Sequence, residues 1–131
     1  LDGTLALHNG RSPYECEKAN EDHINEAVLK MLNIYYAYQY SKIIFLSGRN
    51  ERCRNVTEDW LFEHIEDIPF KLFMRADGDN RKDSIVKLEL FNNHIRDKYY
   101  IDFVLDDRDQ VVDMWRNTLG LPCFQVNYGS F

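Results

Sequence analysis

The chain has 131 residues, of which 44% are hydrophobic and 29% charged, enough for one domain with a sizeable core. Its 16 Lys and Arg against 22 Asp and Glu leave a net charge of −6. That balance argues against a surface that tracks a long nucleic-acid backbone, because such surfaces are basic. No apolar run approaches a membrane span and no basic, then apolar, stretch opens the chain, so neither membrane insertion nor secretion is expected. Cys16, Cys53 and Cys123 are odd in number and widely spaced, which predicts free thiols in a reducing, cytoplasmic setting.

The elements alternate along the chain. Leu1 reads as the last step of a strand running into Asp2-Gly3-Thr4, and a polar loop with Asn9-Gly10-Arg11-Ser12-Pro13 follows. Ile24, Val28, Met31, Leu32 and Tyr35 recur at helical spacing. Lys42 to Leu46 is an uninterrupted, largely apolar run of the kind found in strands covered on both faces, and it ends in Ser47-Gly48-Arg49. Val56, Trp60, Leu61 and Ile65 predict a second helix, and Phe70 to Met74 a strand. After the loop Asp77-Gly78-Asp79-Asn80, the residues Ile85, Leu88, Phe91 and Ile95 predict a third helix. Ile101 to Leu105 reads as a strand ending in Asp106-Asp107. Val111, Val112 and Trp115 follow on a helix that Gly120 would cap, and Pro122 to Val126 closes the series as a short strand. Such alternation predicts an α/β fold, Rossmann-like, with a parallel sheet and helices on both faces.

Polar residues gather where strands end. Asp2, Ser47 and the pair Asp106-Asp107 each follow a strand. Open α/β sheets bind ligands beyond the carboxyl ends of their strands, so the three clusters should converge. Three carboxylates, Asp2, Asp106 and Asp107, suit a hard divalent cation such as Mg²⁺. The Ser47 hydroxyl, with the Gly48 and Arg49 amides at a helix start, suits an anion. Arg11, Arg49, Arg81 and Lys82 are candidate clamps for phosphate oxygens. Together these groups point to phosphoryl transfer. His8, His23, His64 and His94 lack metal-ligand spacing and are expected at the surface or at helix ends. Tyr35, Tyr36, Tyr38 and Tyr40 are expected to pack around a helix. Asn55-Val56-Thr57 matches a glycosylation sequon with no secretory feature to support it, and no P-loop kinase motif is present.

Leu1-Asp2-Gly3-Thr4, Leu46-Ser47-Gly48-Arg49, Lys82 and Asp106-Asp107 resemble, in order, the four motifs of the haloacid dehalogenase superfamily. Asn9-Gly10-Arg11-x-Pro13-Tyr14, Gly78-Asp79-x-Arg81-Lys82-Asp83 and Asp106-Asp107-Arg108-x-Gln110-Val111-Val112 are more narrowly similar to the 3′-phosphatase domain of bacteriophage polynucleotide kinase-phosphatase, and the similarity runs over residues 1–131. The resemblance implies a Mg²⁺-dependent phosphatase that works through an aspartyl-phosphate. Its nucleophile would be an Asp immediately before Leu1, which makes residues 1–131 a phosphatase domain that starts inside its first catalytic motif. Whether that residue is omitted, altered or replaced stays open. Asp2 would be the general acid and base. Asp106 or Asp107, with Asp2, would hold the metal. Ser47 and Lys82 would hold the phosphate, with Arg11, Gly48, Arg49, Asp79 and Arg81 at the same site, and Arg81 and Lys82 could exchange roles.

The loop from Leu5 to Asp22 and the segment from Asn50 to Asp77 leave no room for a large cap domain, and an open site suits the end of a polymer. The expected substrate is therefore a 3′-phosphorylated DNA or RNA end. The resemblance further implies a kinase domain upstream in the same polypeptide, and the host cytoplasm as location if a phage encodes it. A small-molecule phosphatase and a non-catalytic interaction module of the same fold are the competing expectations.

Overall fold

The apolar run near residue 45 forms the longest strand of the computed structural model, which describes residues 1–39, 41–65 and 67–131. In chain order the elements are β1 (Ala6–Leu7), a 3₁₀ segment (Cys16–Glu21), β2 (His23–Ile24), α1 (Glu26–Gln39), β3 (Ile43–Asn50), a 3₁₀ turn (Glu51–Cys53), α2 (Arg54–His64), β4 (Phe70–Arg75), α3 (Asp83–His94), β5 (Val104–Asp106), α4 (Asp109–Asp113), a π-helical turn (Met114–Thr118) and β6 (Cys123–Gln125). Two parallel pairs make the frame. β3 pairs with β4 from Ile43↔Phe70 to Ser47↔Met74, then slips before Asn50↔Arg75. β5 pairs with β6 from Val104↔Cys123 to Asp106↔Gln125.

Alternation along β3 and β4 sorts their side chains between two cores. Phe45, Leu72 and Met74 join Val28, Trp60, Leu61 and Ile65. Ile44, Leu46 and Phe73 pack on Phe91, Ile95, Val111, Trp115 and Cys123. Helices α1 and α2 thus cover one face and α3 and α4 the other, as the alternation predicts. No cap domain is inserted among the described residues: those between 51 and 75 form a turn, α2 and β4. Between β3 and β5 runs an apolar groove of about 360 Å³, lined by Leu1, Leu5, Ile43, Phe45, Phe103 and Leu105 among others. The edges of β3 and β5 that border it carry no ladder partner among the described residues.

Several local expectations change. Ile24, taken as the first helical position, lies in β2, which pairs antiparallel with β1, and α1 begins at Glu26. Only Val104 and Leu105 of the 101–105 run are laddered, with Asp106 after them, because the partner β6 is three residues long. Gly120 does end the last helical segment, at φ 66°, beyond a turn closed by the Leu119 N–H donating to the Met114 carbonyl at 3.1 Å. Of the helical tyrosines, Tyr36 packs on the first core, Tyr35 sets its ring edge against Phe103, and Tyr38 is exposed; Tyr40 lies outside the described residues.

The cysteine expectation is corrected. Cys16 and Cys53 are joined in a disulfide with a Cα–Cα distance of 6.0 Å, and only Cys123 is free and buried. The two sit 37 residues apart in sequence, and it is the packing of the 3₁₀ segment against the start of α2 that brings them together.

Candidate active site

A cleft of about 1090 Å³ opens at the carboxyl ends of β3, β4 and β5, where the alternation predicts a ligand. Its walls come from the turn after Leu1, the end of β3, the loop before α3 and the segment after β5. The turn is tight. The Leu1 carbonyl accepts the N–H groups of Leu5 and Ala6 at 2.9 and 3.0 Å, and Gly3 has φ 72°. A Cβ on Gly3 would fall on the Asp107 carboxylate, so glycine is required both for the backbone angle and for this close approach.

The first wall is built around Asp2. Arg49 donates to it from Nη2 at 2.6 Å and from Nε at 3.0 Å, Arg11 Nη2 approaches Oδ1 at 3.3 Å, and His8 Nε2 lies 3.1 Å from the same oxygen. Behind it Asp22, with no exposed side-chain surface, accepts Arg11 Nε at 2.7 Å and Arg49 Nη2 at 2.7 Å. Two guanidiniums thus bridge two carboxylates. Thr57 completes the cradle: it accepts Arg49 Nη1 at 3.1 Å and donates to the Cys53 carbonyl at 2.8 Å. Burial resists ionisation of Asp2, but hydrogen bonds from His8 and Arg49 and the Arg49 charge outweigh it, and its carboxyl is held well below the ordinary range.

The second wall is built around Asp106 and Asp107. Asp106 is fully committed: Oδ2 accepts Lys87 Nζ and the Trp115 indole N–H, both at 3.1 Å, and Oδ1 accepts the Asp107 N–H at 2.9 Å. Burial works against the Lys87 charge, yet Asp106 and Asp83 more than offset it and raise its pKa. Asp107 differs. Its carboxylate accepts one hydrogen bond, from Thr4 at 3.2 Å, and meets no cation within ion-pair distance among the described residues. Burial, and then the charge of Asp106, push its pKa up. A buried, uncompensated carboxylate at the edge of an open cleft fits a divalent cation. The combination of Asp2, Asp106 and Asp107 expected from the sequence does not close into one ligand set. The donor atoms that do cluster, those of Asp2, His8 and Asp22, are already neutralised by Arg11 and Arg49.

The other expected residues are placed as follows. Ser47, Gly48 and Arg49 lie within β3, and helical structure starts only at Glu51. The Arg49 N–H is spent on the Ser47 hydroxyl at 3.1 Å, so the expected amide nest at a helix start is not formed. Ser47 is buried beneath the cleft, whereas Gly48 lines it. Arg11 is also buried, under Asp2, and acts on the cleft through that carboxylate. Asp79, Arg81 and Lys82 line the opposite rim. Arg81 is paired with Asp79 at 2.7 Å and Glu89 at 2.8 Å, and that pairing holds the Asp79 pKa at about 2. Lys82 is exposed, at the position just before α3.

Five contributors went unread in the sequence. Asp22, His8, Thr57, Arg75 and Lys87 join the network through space. Arg75 ties the rim loop to β3, donating to the Gly48 carbonyl at 2.8 Å and the Arg81 carbonyl at 2.6 Å. Lys87 had a readable signal. It follows Asp83 by one helical turn and precedes Phe91 by another, which puts it on the inward stripe of α3. Thr57 belonged to the apparent sequon, and its burial removes that reading.

Comparison with known proteins matches residues 1–131 to the family model described as the polynucleotide kinase PNKP phosphatase domain. A putative bifunctional polynucleotide kinase/RNA ligase of Autographa californica nuclear polyhedrosis virus is 38% identical over 118 residues, covering 89% of this chain and 17% of that protein. Two solved structures, of a Pnkp1/Rnl/Hen1 RNA repair complex and of a Pnkp1/Rnl/Hen1 complex, are each 50% identical with a TM-score of 0.93. They cover 100% of this chain, and 42% and 45% of theirs. The chain thus spans a sixth to under a half of the proteins it matches. A family match across all 131 residues, with strand-end carboxylates and guanidiniums gathered in one cleft, establishes that the chain belongs to the polynucleotide kinase PNKP phosphatase domain family.

Proposed function

We propose that the protein removes the terminal 3′-phosphate from polynucleotide ends. The observation that carries this reading is the pairing of opposites across one cleft: Asp2 held ionised by guanidiniums, and Asp107 left without a cation. The reaction consumes water and a phosphomonoester and yields a 3′-hydroxyl and inorganic phosphate. The attacking carboxylate belongs to an Asp preceding Leu1. Leu1 lines the cleft together with Asp2, Lys87 and Asp107, so a side chain one residue earlier would stand between the two walls. The apolar groove between β3 and β5 supports a strand leading into Leu1.

Asp2 moves the protons. It donates to the leaving 3′-oxygen in the first half and takes a proton from the attacking water in the second. The resting site suits the second half, since Asp2 is a carboxylate there. An arriving phosphate competes for Arg49, loosens its grip on Asp2, and so lets Asp2 carry a proton for the first half. Lys87, rather than the exposed Lys82, offsets charge at the reacting centre, while Lys82 meets the substrate at the rim. Asp107 would hold Mg²⁺, which supplies positive charge against the phosphate oxygens.

RNA ends are the favoured substrate, because the matched proteins are described as an RNA ligase fusion and an RNA repair complex. The same relatives support an upstream kinase domain. No described helix is long and apolar enough to cross a membrane. Phosphate release by the full-length protein with Mg²⁺ tests the reading. Brisk release from 3′-phosphorylated RNA or DNA oligonucleotides is expected. Brisk release only from sugar or nucleotide phosphates would make the protein a small-molecule phosphatase, and no release from either would make it a binding module.

A further inference from the structure

Three aromatic rings line the cleft and belong to no core: Phe131, against which the Arg108 guanidinium lies at 5.0 Å, and two tyrosines. Tyr14 is 87% exposed and Tyr128 96% exposed, and both line the cleft with Asp2 and Arg49. Tyrosines carry a large apolar face that folded chains usually cover, and exposed clusters of such faces mark binding surfaces. The two arrive from distant parts of the chain, the loop after β1 and the tail after β6, so their meeting at one cleft is not a local accident of sequence. Both backbones make local hydrogen bonds within their own turns. The Tyr14 N–H donates to the Ser12 hydroxyl at 3.3 Å and the Tyr128 N–H to the Asn127 side chain at 2.9 Å. The tail is tied down where the Asp109 N–H donates to the Gly129 carbonyl at 2.8 Å.

The cleft around these rings suits a polyanion. In a chain of net charge −6, Arg52, Lys82 and Arg108 all line this one opening. Lys82 makes no ion pair among the described residues, and Arg52 reaches Asp77 only at 3.9 Å. The volume of about 1090 Å³ leaves room beyond a terminal phosphate.

We propose that Tyr14 and Tyr128 are stacking platforms for the last nucleobases of a single-stranded end. This rests on the reading of the cleft as a polynucleotide phosphatase site. Every base offers a π-face, so such platforms hold a strand without reading its sequence. They favour a single strand, because the bases of a duplex end are already stacked on their neighbours. The cations would hold the backbone while the rings hold the bases.

The test uses the full-length protein and two 3′-phosphorylated single-stranded pentanucleotides, one with all its bases and one abasic at its last two positions. The wild type is expected to show a KM about tenfold or more higher for the abasic substrate, with kcat within about twofold, in line with typical stacking contributions. Tyr14→Ala and Tyr128→Ala should each erase part of that preference by raising KM for the base-bearing substrate, while Tyr14→Phe and Tyr128→Phe should keep it. Equal KM values in the wild type, full preference in the alanine variants, or phenylalanine variants that behave like alanine would overturn the proposal. If neither substrate is turned over, the phosphatase reading fails by itself. Fluorescence anisotropy with the same oligonucleotides then decides the stacking question: tighter binding of the base-bearing strand supports it, and equal binding contradicts it.

Discussion

On one wall of the cleft, Asp2 and Asp22 share two guanidiniums and leave little charge unpaired. On the other, Asp106 is matched to Lys87 while Asp107 has only the Thr4 hydroxyl among the described residues. The same residue type is pulled in opposite directions: Asp2 toward the carboxylate, Asp107 toward the acid. The paired wall fixes geometry, because each guanidinium is held at several points and cannot rotate without breaking charged hydrogen bonds. The unpaired wall stores an electrostatic cost that a bound cation would relieve. Positioning and cation binding are thereby separated across one opening.

The largest stability effect belongs to the paired wall. Asp22→Ala strands Arg11 and Arg49 in a buried setting and should cost about 3–5 kcal/mol, read by denaturant unfolding. A variant as stable as the wild type would break the contrast between the walls. Asp107→Asn should do the opposite. It removes a destabilised charge and should leave stability unchanged or raise it by about 1 kcal/mol, while abolishing the rise in Tm expected of the wild type with Mg²⁺. Loss of stability on the scale of Asp22→Ala would show that Asp107 is a structural anion instead.

Acid sharpens the same comparison. Asp2 has a folded-state pKa below its unfolded value near 3.9, so its contribution is complete above that value and is lost as the pH falls below it. Asp107 has a raised folded-state pKa, so its contribution is favourable in acid and is lost as the pH rises through that raised value. Melting curves between pH 2 and 7 should therefore show a shallower acid limb for Asp2→Asn and a steeper one for Asp107→Asn. Parallel limbs would contradict the assignment. The smallest effect is at the rim: Lys82→Ala should change stability by no more than about 0.5 kcal/mol, as expected of an exposed side chain with no ion pair among the described residues.

Much of the frame is legible in the sequence. The β-branched and aromatic run from Ile43 to Leu46 announces a strand covered on both faces, and the period of Val56, Trp60 and Leu61 announces α2. The order Asp2, Ser47, Asp106 and Asp107 is enough to locate the cleft, because strand ends of an α/β sheet converge whatever their side chains do. What is lost is partnership. Lys87 sits in Ile85-Val86-Lys87-Leu88 and is buried because Asp106 on β5 faces it. Asp22 and Cys16 have partners 27 and 37 residues away, at Arg49 and Cys53. Ser47 looks like a helix-start hydroxyl, but β3 continues past it to Asn50, so its side chain turns to its own backbone. Spacing predicts elements; the pairing of buried charges depends on which elements become neighbours.

In the proposed reaction Asp2 moves the proton of 3′-phosphate release. The direct measurement is kcat/KM of the full-length protein and its Asp2→Asn variant on a 3′-phosphorylated single-stranded oligonucleotide with Mg²⁺, with melting curves alongside. A loss of about 10²- to 10⁴-fold is expected in a variant that still folds. A folded Asp2→Asn variant whose kcat/KM stays within about tenfold of wild type, a loss smaller than general acid–base catalysis supplies, would contradict it.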